Sequence, residues 1–251
     1  MSQQKVLITG AAGRIGRLLT KGLKDHYDLV LTDQKKPEET FDLPFQETDI
    51  ADYTSVESVF EAFPGIHTVI HLAADPSVRA AWESLLPNNI VGAYNIFEAA
   101  HRANCQRVIF ASSVNAVDGY PQSVQVRTDM PVAPANLYGA SKAWGEALGR
   151  FYADYKSMAV HCLRLGAVTP RDAERLQSFK RDLLEMFISH KDLLKLFKAC
   201  LASELNFGIW HGSSDNLFKR LDISDTKERL GYAPSDDGFV LSGKIPNPED
   251  F

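Results

Sequence analysis

The sequence predicts an α/β fold, a doubly wound parallel sheet with helices on both faces and a small C-terminal lobe. Three observations predict it. Strand-like and helical patterns alternate from Val6 to Leu165, which is the signature of βαβ units. The strand-like runs are continuously apolar, as strands covered on both faces must be. A glycine-rich turn joins the first strand to the first helix, where open α/β sheets bind phosphates.

The elements follow in order. Val6-Leu7-Ile8-Thr9 reads as the first buried strand, and residues 14–25 as a helix with Ile15, Leu18, Leu19 and Leu23 on one face. Leu29-Val30-Leu31 begins a second strand that ends at Asp33, and Phe45 to Thr48 is a short third. A helix is expected over Thr54–Phe63 with Asp52 or Thr54 near its cap. Thr68–His71 forms the fourth strand, residues 88–103 a helix, and Arg107–Ala111 the fifth strand. Tyr138–Tyr155 is helical, and Val160–Leu165 is the sixth strand. Beyond Pro170 the pattern loosens: residues 171–200 read as charged helix, 204–211 hold a strand, and the last forty residues are turn-rich. The expected division is a cofactor-binding unit over residues 1–170 and a small substrate-binding lobe over 171–251, the lobe not independent.

Composition narrows the function. The chain has 251 residues, 45% hydrophobic, enough to bury a full core without staples. Its 27 basic and 32 acidic residues give a net charge of −5, so no nucleic-acid partner is expected. No apolar run approaches the ~20 residues of a membrane span, and the start of the chain lacks a signal-peptide core. These features predict a cytoplasmic protein without a membrane partner. Cys105, Cys162 and Cys200 lie far apart and are expected to be reduced thiols, and the histidines are not read as metal ligands, so no metal is expected.

Thr9-Gly10-Ala11-Ala12-Gly13-Arg14-Ile15-Gly16 lies directly between strand and helix. Gly10 permits the tight turn, Gly13 a close approach of backbone to pyrophosphate, and Gly16 close helix–sheet packing. The helix start at Arg14 and Ile15 offers unpaired N–H groups and a positive dipole end. Asp33 ends the second strand, where a carboxylate binds both ribose hydroxyls and repels a 2′-phosphate. NAD is therefore expected over NADP, although Arg14, Lys35 and Lys36 are cations near enough in sequence to receive that phosphate.

The chemistry is carried by Tyr138-Gly-Ala-Ser-Lys142, whose four-residue spacing puts Tyr138 and Lys142 on one helix face. A neighbouring ammonium favours the phenolate, which can take a hydroxyl proton during hydride transfer. Ser113, after the fifth strand, is positioned to bond the reacting oxygen. Asp75 and Ser77 follow the fourth strand at its C-terminal end and are candidate contacts to sugar hydroxyls.

On these residues the chain resembles the extended short-chain dehydrogenases/reductases of the NAD-dependent epimerase/dehydratase family. The resemblance rests on TGAAGRIG, Asp33, Thr48-Asp49-Ile50, His71-Leu72-Ala73-Ala74, Asn89-Ile-Val-Gly92, FASS at 110–113, YGASK, Arg164-Leu-Gly166 and Asp225 to Pro234. It implies a Rossmann fold, Tyr138 as base, Lys142 as ligand of the nicotinamide ribose, and Ser113 as orienter of the substrate oxygen. It also places Asp49 and Ile50 near adenine, and Leu72, Ala73, Ala74, Asn89 and Ser112 along the cofactor. Helices 88–103 and 138–155 would then be the faces of a homodimer or higher homo-oligomer. Only 81 residues follow Pro170, which suits a small sugar better than a nucleotide-linked one.

IFASSVNAVDGYPQ, Trp144-Gly-Glu146 and Ser189-His190-Lys-Asp192 are most similar to the uronate dehydrogenases, which oxidise C1 of a hexuronate to its aldarolactone. That resemblance implies a carboxylate clamp from Arg171, Arg175 or Arg181, with Arg175 the chosen candidate and Asn115 beside the substrate. Val114-Asn115 and Ala167 depart from its pattern, and residues 71–90 resemble sugar-phosphate dehydrogenases. A sugar-phosphate or other free-sugar dehydrogenase, and an epimerase with tightly bound NAD, stand as alternatives. A non-catalytic dinucleotide sensor is disfavoured by the Tyr138–Lys142 pair.

Overall fold

A computed structural model describes residues 3–170 and 173–245. Arg171 lies outside the described residues. A seven-stranded parallel sheet forms the centre, in the order β3-β2-β1-β4-β5-β6-β9. The strands are β1 (Lys5–Thr9), β2 (Asp28–Asp33), β3 (Phe45–Glu47), β4 (Thr68–His71), β5 (Arg107–Ser113), β6 (Ala159–Leu165) and β9 (Phe207–Gly212). The strand order reverses between β1 and β4, the switch point at which such sheets open a crevice.

Alternate residues of each strand face opposite ways, and both faces are covered. Leu7, Val30, Val69, Val108 and Val160 pack under α2 (Tyr53–Ala62), α4 (Gly92–Arg102) and α5 (Leu137–Tyr155). Val6, Ile8, Leu29, Leu31, Ile70, Ile109 and Leu163 pack under α1 (Arg14–Leu23) and α8 (His190–Ala202). This two-sided burial is why the strand runs carry no polar alternation.

Several expected elements change. The helix expected over 88–103 begins earlier, as α3 (Trp82–Leu85), and passes through a π-helical segment, Leu86–Val91, before α4. Pro87 cannot donate a backbone hydrogen bond, and its carbonyl instead receives the N–H of Gly92, one residue further on than in an α-helix. The expected helix over 171–200 is broken into α6 (Ala173–Gln177), α7 (Arg181–Glu185), β8 (Phe187–Ser189) and α8. β8 pairs in parallel with β7 (Ala167–Thr169), and Phe187-Ile188-Ser189 is fully buried. A short apolar run does not reveal whether it is strand or helix.

The strand expected over 204–211 becomes β9 and joins the edge of the main sheet beside β6. Residues beyond 170 thus supply both a sheet strand and a wall of the cleft. Asp192, fully buried, organises this part by accepting hydrogen bonds from Ser214 Oγ and from the backbone N–H groups of Ser235 and Asp236. The turn-rich end contains α9 (Ser224–Leu230) and α10 (Gly238–Ser242). Among the described residues no helix is long and apolar enough to cross a membrane.

Candidate active site

A cavity of about 770 Å³ opens at the C-terminal ends of β1, β2, β4, β5 and β6. Its floor is the turn Gly10–Gly16. Gly10 adopts φ +70°, and a Cβ there would lie 2.7 Å from the Ala73 nitrogen. A Cβ on Gly16 would come within 2.3 Å of the Gly10 carbonyl oxygen. Neither position accepts another residue without moving backbone. No side chain caps the start of α1, so its free N–H groups face the cavity. Asp33 Oδ2 accepts from the Ala12 N–H at 2.9 Å, which holds the carboxylate at the rim. A glycine-lined cradle, an open helix start and a strand-end carboxylate together fit a dinucleotide.

At the other end, α5 and β5 bring Tyr138, Lys142, Ser112 and Ser113 together. Ser112 and Ser113 are the last residues of β5 itself rather than the loop after it. Tyr138 and Lys142 are both buried, with Lys142 Nζ 5.7 Å from the Tyr138 ring centre and 5.0 Å from that of Phe110. Burial draws the Lys142 ammonium down to about 8. Burial also pushes the Tyr138 phenol up, and the hydrogen bond with Ser113 pulls it back in part. This reverses the direction expected from the ammonium alone, because desolvation of the buried phenolate is the largest influence on Tyr138.

Gly10, Gly13, Arg14, Ile15, Gly16, Asp33, Ile50, Leu72, Ala73, Ala74, Ser112, Ser113, Asn115, Tyr138, Lys142 and Arg175 all line the cavity. Asp49, Asn89, Asp75 and Ser77 do not. Asp49 is exposed, and its carboxylate accepts from the Ala51 N–H and Gln34 Nε2. Asn89 is buried in the π-helical segment, its amide spent on both backbone groups of Asp75 and on Ser141 Oγ. The Asp75 carboxylate accepts from Ser84 Oγ and the Ser77 N–H, so it folds its own loop. Pro76 and Val78 line the cavity in place of Asp75 and Ser77.

Other lining residues escape local patterns. Val168 and Thr169 reach the cavity through β7, whose pairing with β8 is non-local. Their only sequence signal is position, just past a strand end. Behind Ser112 lies a buried network: its hydroxyl donates to Glu146 Oε1 at 2.6 Å, and Arg164 grips both oxygens of the same carboxylate. His67 and His71 share a four-residue spacing, but on a strand that separation is about 13 Å. His71 Nδ1 instead bonds Thr9 Oγ1, and no metal-holding group occurs among the described residues.

Comparison with known proteins agrees with this arrangement. The sequence model of the NAD dependent epimerase/dehydratase family matches residues 6–208. The NAD-dependent glucose-6-phosphate dehydrogenase of Haloferax volcanii is 35% identical, covering 96% of this chain and 97% of that protein. The crystal structure of uronate dehydrogenase from Agrobacterium tumefaciens superposes with a TM-score of 0.85 at 30% identity, covering 99% and 92%. A mutant of that enzyme complexed with NAD gives a TM-score of 0.82 at 30% identity, covering 98% and 91%.

Proposed function

Because the chain belongs to the NAD-dependent epimerase/dehydratase family, we propose that it is an NAD-dependent dehydrogenase acting on a CH–OH group of a small sugar, with C1 of a hexuronate as the reacting carbon. The observation that carries this reading is the meeting of Ser113, Tyr138 and Lys142 in one cavity with the glycine cradle. NAD, when bound, supplies the hydride acceptor.

The chain's own residues would do the rest. The N–H groups around Arg14 and Ile15 hold phosphate, and the Asp33 carboxylate takes the adenosine ribose. Ile50 packs against the adenine side, and Leu72, Ala73 and Ala74 border the path to the nicotinamide. Ser113 holds the sugar oxygen, Tyr138 removes its proton, and Lys142 holds the nicotinamide ribose while tuning Tyr138. Asn115 and Arg175 wall the sugar's place, Arg175 offering a bidentate partner to a carboxylate.

A sugar phosphate is the second reading. It is favoured by Val114-Asn115 and Ala167, which depart from the uronate dehydrogenase pattern, and by the glucose-6-phosphate dehydrogenase relative. The exposed aromatic side chains of Tyr94, Trp144, Phe151 and Tyr155 on α4 and α5 support a homo-oligomer joined through those helices. NADH absorbance on addition of glucuronate, galacturonate, glucose, glucose 6-phosphate or UDP-galactose tests the function. Growth of the signal with a free sugar or sugar phosphate is expected. A redox-neutral isomerisation without NADH would overturn the dehydrogenase reading.

A further inference from the structure

A second cavity of about 690 Å³ lies outside the mechanism, between α1 and the start of α8. Arg14, Arg17 and Lys21 line it from α1, His190 and Lys191 from α8, and Arg175 from α6, against one carboxylate among the described residues, Glu39. The floor is closed where α1 meets α8: a Cβ on Gly22 would lie 2.6 Å from Leu194 Cδ2. Arg14, Ile15, Val168 and Arg175 line both cavities, so the groove continues from the cofactor cleft. No ion pair among the described residues neutralises Lys21 or Lys191.

This concentration of cations stands out in a chain of net charge −5. The charges outside the groove therefore sum to a net acidic balance. Even without Arg175, the four permanent cations Arg14, Arg17, Lys21 and Lys191 in a concave groove exceed what one carboxylate ligand would need. They match a dianion with several acceptor oxygens. Arg14, Arg175 and His190 line the same groove, and burial, followed by the two arginine charges, holds the His190 imidazole below its ordinary range.

We propose that the α1/α8 groove is a binding site for a phosphate monoester, next to but separate from the pyrophosphate cradle. The phosphate has two possible sources, the sugar substrate itself or a free phosphorylated effector. Only the first source rests on the dehydrogenase reading.

Calorimetric titration of the full chain with inorganic phosphate and with glucose 6-phosphate, with and without saturating NAD, tests the site. Lys21 and Lys191 are exposed, so K21Q/K191Q and K21E/K191E will fold, with melting temperature as the check. Phosphate binding is expected with NAD present, weakened roughly tenfold in K21Q/K191Q and further in K21E/K191E, and falling with salt. Unchanged phosphate affinity in both variants, or loss of phosphate binding when NAD saturates, would overturn the proposal. If the substrate carries the phosphate, KM for glucose 6-phosphate rises in K21Q/K191Q while KM for glucuronate does not. If an effector carries it, inorganic phosphate alters glucuronate turnover in the parent protein and not in the variant. The titration reads the site even if no sugar is oxidised.

Discussion

The side-chain amide of Asn136 donates to Asn115 Oδ1 across 2.9 Å, tying the start of α5 to the end of β5. Asn136 also caps α5 by accepting from the Gly139 N–H at 2.8 Å, and Asn115 Nδ2 donates to Ser113 Oγ at 3.1 Å. Asn136, outside the motifs, and Asn115, inside one, therefore set how Ser113 faces Tyr138. Asn136→Ala should cost about 1 kcal/mol in stability through the lost cap. It should also lower kcat roughly tenfold with NAD affinity unchanged, because the reacting groups lose alignment. Asn136→Asp keeps the capping oxygen and removes the donor. Its melting temperature should recover while its kcat stays low, and a full recovery of both would refute the tether.

Tyr138→Phe removes the proposed base and should lower turnover by a factor of about 10² or more while NAD binding persists. Because burial holds the Tyr138 phenol above its ordinary range, the ionised fraction climbs with pH throughout the neutral range. The expected kcat/KM of the parent protein accordingly rises from pH 6 to pH 9. A rate independent of pH across that window would contradict a tyrosine base.

Glu146 and Arg164 are both buried and paired at 2.8 Å, so removing either leaves a desolvated charge. Glu146→Gln should cost about 3–5 kcal/mol, seen as a lower urea midpoint. Replacing both partners, as in E146M/R164M, should be milder than either single change. In E146M/R164M the Ser112 hydroxyl loses its acceptor, so turnover should fall even where stability is regained.

His71, His161 and His211 are buried neutral, held down to about 3, 3 and 4 by desolvation. Each folded value lies below the unfolded one near 6.5, so the unfolded chain binds more protons between the two. Stability is therefore complete above about pH 6.5 and falls as pH drops toward 4. At pH 5 each histidine should cost about 2 kcal/mol. His161 Nδ1 accepts from Trp210 Nε1 at 2.9 Å, a bond that protonation breaks. Chemical denaturation at pH 7.5 and pH 5 should show the loss, with a smaller slope for His161→Gln.

Asp33→Ala should weaken NAD roughly tenfold and raise the NADP-to-NAD preference, since the carboxylate both holds the ribose and repels a 2′-phosphate. Titration of each dinucleotide against the variant measures the ratio. An unchanged preference would mean that Asp33 serves only the Ala12 N–H.

Amino-acid order alone determined the parts whose causes are local. The apolar run at Val6–Thr9, the glycine turn that follows it, and the four-residue step from Tyr138 to Lys142 each act over a few residues. They were legible together with the parallel α/β architecture and the family. The long-range relationships were not. Arg164 meets Glu146 from another element, β8 becomes a strand only by pairing with β7, and Asp75 turns its carboxylate inward onto Ser84 and the Ser77 N–H. Even the direction of the Tyr138 shift depended on burial, which is a property of packed neighbours. Tertiary structure alone decided these, because desolvation and pairing across elements depend on which distant segments share one space.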